Sequence, residues 1–161
     1  MPSRSFVCLL AGSSVVMLAA CSDATAPDEK LNAARRRWAQ QGPASYSMVV
    51  HRSCECTPEG AGPVLVRVRN GAVESRQYTA TGASVPASLA DVFPSVEGLF
   101  QLIEDARRQR PNSLEVRYDA TLGYPTLISV DFDRMIADDE FVYTASELRP
   151  AATIAGALTS R

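Results

Sequence analysis

The chain carries one lysine, one histidine and one tryptophan in 161 residues, and these scarcities remove much of the usual chemistry at the outset. A single histidine cannot build a His-Glu-x-x-His zinc site. The Gly-x-Ser-x-Gly elbow of serine hydrolases is absent, as is a glycine loop able to cradle phosphate. Charge of one sign is missing too. Sixteen basic residues, nearly all arginine, against 18 acidic ones leave a net charge of −2, too weak a field to argue for a nucleic-acid partner. No apolar run approaches the roughly 20 residues that a membrane-spanning helix needs. These absences predict a protein that is not an enzyme and holds no cofactor. Apolar residues are plentiful, at 46% against 21% charged, which is the composition of a chain that folds.

The N-terminus has the layout of an export signal. Arg4 supplies a short positive region, and Phe6 to Leu18 is an uncharged apolar stretch of about 13 residues, the length of a signal-peptide core. Leu18-Ala19-Ala20-Cys21 follows. It resembles the lipobox of bacterial lipoproteins, in which small residues admit the signal peptidase and the cysteine thiol accepts a diacylglycerol. On this reading residues 1–20 are a signal peptide, Cys21 is lipidated, and residues 21–27 are a tether. Residues 28–150 form one domain and 151–161 a loose tail. The expected location is the cell envelope, with lipid on Cys21 as the membrane partner and the domain facing the periplasm or the exterior. Two or three acyl chains would make that attachment stable.

Beyond the tether the periodicities alternate. Asp28 can cap a helix with Leu31, Ala34 and Trp38 on one face, ended by Gly42-Pro43. Tyr46 to Arg52 reads as a strand. Val64 to Arg69 and Ala72 to Tyr78 flank Asn70-Gly71, the dipeptide that supplies the two positive φ angles of a tight hairpin. That hairpin sets Val68 against Val73 and Arg67 against Glu74. Ser95 caps a second helix whose apolar face is Val96, Leu99, Phe100, Ile103 and Ala106, with Arg107, Arg108 and Arg110 at its C-terminal end and Pro111 beyond. Strands are expected over Ser113 to Tyr118, Thr126 to Phe132 and Glu140 to Leu148. The predicted fold is α+β: an antiparallel sheet of about six strands with two helices on one face, in an order that suggests a duplicated αβββ unit.

Three groups of residues are candidates for function. Cys54 and Cys56, expected in an oxidising compartment, can form a disulfide only if the chain turns at Glu55, because an extended Cys-x-Cys places its Cβ atoms too far apart. Closing so short a loop contributes about 1.6 kcal/mol before strain. The pair reads as a structural clamp, with a thiol-exchanging pair as the alternative, and His51 could add a third zinc-capable group. The second group, Asp131, Asp133, Asp138, Asp139 and Glu140, is an oxygen-rich loop that suits calcium, although Met135 and Ile136 stand where an EF-hand needs a ligand and a glycine. The alternative is a solvated turn. The third comprises Tyr118, Asp119 and Tyr124, where loop tyrosines would suit recognition of a partner.

Taken together, Trp38, Tyr46, Cys54-Glu-Cys56, Arg69-Asn-Gly71, Val96-Glu-Gly-Leu-Phe100, Tyr118-Asp119, Leu122-Gly-Tyr-Pro125, Asp131 and Asp138-Asp-Glu140 resemble an uncharacterised bacterial family, domain-of-unknown-function family 6174. The resemblance runs from about residue 35 to 148. It implies small secreted or lipid-anchored proteins and supplies no catalytic residue. The expected function is therefore a non-enzymatic binding or accessory domain that meets an envelope protein or a cell-wall partner. Calcium binding through Asp131 to Glu140 and thiol chemistry at Cys54 and Cys56 are the alternatives.

Overall fold

A computed structural model describes residues 26–132 and 140–151. The expected signal peptide, Cys21 and most of the expected tether lie outside these residues, as do Asp133, Asp138, Asp139 and the tail beyond residue 151. The elements run α1 (Ala26–Gln41), β1 (Tyr46–Ser53), the one-turn α2 (Pro58–Ala61), β2 (Val64–Arg69) and β3 (Ala72–Tyr78). A 3-10 turn (Ala87–Val92) leads to α3 (Val96–Gln109), followed by β4 (Ser113–Tyr118), β5 (Pro125–Asp131) and β6 (Phe141–Pro150).

The six strands form one antiparallel sheet in the order β3-β2-β1-β6-β5-β4. Alternation along each strand divides the sheet into two faces. Met48, Val50, Val64, Val66, Val68, Ile128 and Val130 are buried on the face that carries the helices. The other face bears the cross-strand row His51, Thr144, Leu127 and Arg117. Leu31, Ala34 and Trp38 of α1 close over the first face together with Val96, Leu99, Phe100, Ile103 and Ala106 of α3. Each such aliphatic or aromatic side chain, fully buried, contributes about 1.5–3 kcal/mol relative to exposure. The α+β architecture with two principal helices on one face is thus the arrangement that the periodicities predict.

The hairpin turn forms at Asn70 (φ 50°) and Gly71 (φ 79°). Val68 pairs with Val73 as expected, but a bulge between Arg67 and Val68 shifts the ladder, so that Arg67 faces Ser75. Glu74 is thereby turned to Arg69, whose Nε donates to its carboxylate at 2.8 Å. The physical reason is parity: one extra residue in β3 moves each later pair by one place.

The duplicated-unit reading finds no support in the topology. Matching β1, β2 and β3 to β4, β5 and β6 keeps their left-to-right order, reverses every strand direction and leaves both helices on the same face. No rotation performs that operation.

The turn between β4 and β5 shows how closely α1 seats on the sheet. Asp119 Oδ1 accepts hydrogen bonds from the N–H groups of Thr121 (3.0 Å) and Leu122 (2.6 Å), and Asp119 N–H donates to the Tyr124 carbonyl at 2.8 Å. Gly123 then lies under α1 at φ +81°, where a Cβ would stand 2.5 Å from the Ala34 carbonyl oxygen. Gly82 has a similar φ of +70° with nothing within 4 Å. Gly82→Ala is expected to cost about 1 kcal/mol, the left-handed backbone penalty alone. Gly123→Ala should cost about 3 kcal/mol, because the backbone clash adds to that penalty. Urea denaturation of both variants checks this, and equal losses would show that α1 does not press on the turn.

Candidate functional site

Helix α3 is amphipathic, and its two sides do different things. Ser95 caps it, accepting from Gly98 N–H at 3.3 Å, and Arg110 ends it in the left-handed conformation at φ 54°. One side packs on the sheet. The flank formed by Gly98, Gln101, Leu102, Asp105 and Gln109 instead walls a groove of about 560 Å³. Opposite stand Val73 and Arg76 of β3, Asp91 of the 3-10 turn, and Phe132 and Phe141 at the adjoining ends of β5 and β6. The volume lies in the range of small-ligand sites, and the mixture of an apolar floor with a few polar groups is the usual chemistry of such sites.

The polar groups of the groove are held in place by their neighbours. Arg76 Nε donates to the Phe93 carbonyl at 2.6 Å, which keeps the guanidinium on the groove wall. Asp105 accepts from Gln101 Nε2 at 2.9 Å and pairs with Arg108. At the upper end, Phe141 packs against Phe132 (centroids 6.1 Å apart) and against Tyr143 (5.6 Å). The Arg52 guanidinium lies over Phe141 and Tyr143, 5.9 Å from each ring centroid. Its buried Nε meets no acceptor among the described residues, so the ring faces are the counterpart it has there.

The residues singled out from the sequence are scattered rather than convergent. Cys54 and Cys56 form a disulfide with their Cα atoms 5.3 Å apart at the end of β1, and the required turn at Glu55 is present, with Cys56 N–H donating to the Cys54 carbonyl at 2.8 Å. His51 is exposed on the opposite face of the sheet, where its Cα partner across the ladder is Thr144. Asp131 accepts from Asn112 Nδ2 at 2.8 Å, and Glu140 is exposed. Among the described residues no three metal-capable side chains come together.

The two tyrosines expected at an exposed loop belong to the core side. Tyr124 is only 8% exposed and meets Trp38 edge to face at 6.3 Å. Tyr118 stacks on Phe100 at 6.4 Å. Tyr124 is covered and Tyr118 half-covered because α1 and α3 close over that end of the sheet, leaving Asp119 as the turn's backbone acceptor. The groove itself was not legible in the sequence, where the polar flank of α3 reads as a solvated face.

The family profile that fits this chain spans residues 30–150, from the first turns of α1 to the last residue of β6. The chain belongs to DUF6174, a family of unknown function. No curated protein and no solved structure matches this DUF6174 chain.

Burial gives the DUF6174 domain an alkaline signature. It pushes the Tyr118 hydroxyl up to about 12, against the opposing pull of Arg107 and Arg35. Burial raises Tyr124, helped by Asp119, and raises Tyr143 against Arg52. Tyr46 is also raised, by burial first and by the Glu97 carboxylate, with the Val96 N–H opposing. A phenol whose folded-state value is raised contributes stability that is fully present below its ordinary value of 10.0 and is lost as pH rises through the folded-state value. The domain should therefore hold its stability to about pH 10 and lose it steadily above. Phenolate absorbance followed during alkaline titration should show these four tyrosines ionising late in the folded chain and at the ordinary pH in urea. Ordinary ionisation of all four with the fold intact would contradict the burial.

Proposed function

We propose that this DUF6174 protein is a lipid-anchored envelope protein whose domain binds rather than transforms, with the groove along α3 as its ligand site. The observation that carries the reading is the makeup of the groove: a floor of Val73, Leu102, Phe132 and Phe141 under a rim of Arg76, Asp91, Gln101 and Gln109. That lining contains no cysteine and no histidine, and its one serine, Ser95, caps α3. Its groups hold and orient an amphipathic ligand, such as a segment of an envelope protein or a cell-wall fragment. The apolar floor would supply the burial, and the amide and charged groups the orientation.

The anchor half of the reading rests on Leu18-Ala19-Ala20-Cys21. Acyl chains on that cysteine would keep the domain within reach of partners at the membrane surface. A tether of residues 21–27 spans at most about 25 Å when fully extended, which confines the search for partners to that layer.

The test puts a photo-reactive amino acid at Leu102, inside the groove, or at Arg117, on the open face, in living cells. Irradiation should give one defined adduct from position 102 that position 117 does not give, and Leu102→Trp should exclude the same ligand. Cys21→Ser should release the protein from the membrane fraction, and the wild-type N-terminal peptide should carry acyl mass on Cys21. No adduct at 102, or an acyl-free N-terminus, would overturn the corresponding half of the proposal.

A further inference from the structure

We infer that β4 is a self-association edge, and that two copies of the chain join by antiparallel pairing of their β4 strands about a two-fold axis at Val116. The sheet ends at β3 on one side and at β4 on the other, and the two edges are finished differently. The C-terminal half of the β3 edge, Arg76 to Tyr78, is covered by the chain's own return: Tyr78 N–H donates to Ala83 O at 2.9 Å, Val85 N–H to Arg76 O at 3.0 Å, and Gln77 bridges to Ser84. Among the described residues no segment lies on the outer side of β4.

The backbone is set for this pairing. Asp119 turns both its N–H and its C=O inward, to Tyr124 and Gly123. The irregularity in the β4–β5 ladder is an extra residue on β5, since Arg117 faces Leu127 and Tyr118 faces Pro125, so alternation along β4 is unbroken. Counting back from Asp119, the backbone groups of Tyr118, Val116 and Leu114 point outward. These are the donors and acceptors that a partner strand centred on Val116 would meet.

Side-chain pattern selects a second copy as the occupant. With the axis at Val116, Glu115 faces Arg117 of the second copy and Arg117 faces its Glu115. Leu114 faces Tyr118 and Val116 faces itself. The charges fall on the open face and the apolar residues on the helix-covered face, where Leu114, Val116 and Tyr118 are only half-buried in the single chain. Moving the axis to residue 115 or 117 sets Glu115 against Glu115 or Arg117 against Arg117, and a half-step slip sets charge against apolar residue. Among axes at residues 115 to 117, self-complementarity therefore selects one register. In the single chain Glu115 and Arg117 pair with each other at 2.7 Å with more than half of each side chain exposed, so exchanging partners costs little. One β4 per copy, and a β3 edge that is covered over Arg76 to Tyr78 and bulged at Glu74, stop the assembly at two, in a continuous sheet of twelve strands. A contact built on one six-residue strand is small, so the dimer is weak and concentration-dependent.

Sedimentation equilibrium of the full chain in density-matched detergent tests this, with far-UV circular dichroism confirming the fold of each variant. The wild-type chain should show a monomer–dimer equilibrium. Glu115→Arg and Arg117→Glu should each weaken it at least about tenfold, because like charges then face one another twice. Mixing those two variants should restore the wild-type affinity, as should the double exchange in one chain. Val116→Pro, which removes an outward N–H, should abolish pairing; should it fail to fold, the charge series decides alone. A monomer at every concentration, a dimer indifferent to the reversals, or a loss that mixing does not repair would each overturn the inference.

Discussion

The arrangement of this domain hangs on one carboxylate. Glu97, in the first turn of α3, accepts a hydrogen bond from Trp38 Nε1 of α1 at 3.0 Å and another from the Tyr46 hydroxyl of β1 at 3.2 Å. The Tyr46 oxygen in turn accepts from Val96 N–H at 3.0 Å. The consecutive elements α1 and β1 are thus joined to α3, about fifty residues further on, at its N-terminal end, where the helix dipole also favours a negative charge. Trp38 meets Tyr46 edge to face at 5.4 Å, so the polar contacts sit on an aromatic base. Ion pairs between the helices, Arg35 with Glu104 at 2.6 Å and Arg107 with Asp28, are part-exposed and contribute less than about 1 kcal/mol each. They follow the docking of α3 and do not set it.

With α3 fixed at that end, its buried side is committed to β4 and β5, and its far flank necessarily stands away from β3. The groove is the space this leaves. Val73 and Phe141 make its strand side apolar because they stand on the core face, while Gln101, Asp105 and Gln109 of the helix flank and Arg76 of β3 supply its polar groups. Groove and core are in this sense two sides of one helix placement.

Much of the fold is written locally. The apolar spacing of α1 and α3, the Ser95 cap, the Asn70-Gly71 turn and the alternation of the strands each depend on a few neighbouring residues, and each can be read without knowing the rest. Strand order is different: β1 pairs with β6, about a hundred residues away, and no local pattern records that choice. The bulge at Arg67 escaped for the same reason that it matters, since one extra residue changes parity without changing composition. The 3-10 turn at Ala87–Val92 and the single turn at Pro58–Ala61 are too short to show a period. Tyr118 and Tyr124 read as loop residues because the turn between them is obvious, whereas the helices that cover them come from elsewhere in the chain. The turn at Glu55 was legible because covalent geometry demands it of any Cys54–Cys56 disulfide.

The most direct measurement of the central constraint is a double-mutant cycle in urea between Trp38→Phe and Glu97→Gln, with Tyr46→Phe as the third corner against Glu97. If one carboxylate holds both donors, each pair should show a coupling of about 1 kcal/mol, and Glu97→Gln should shift the near-UV circular dichroism of the tryptophan. Strictly additive losses, with that spectrum unchanged, would mean that α3 is placed by apolar packing alone and that the bridge is incidental.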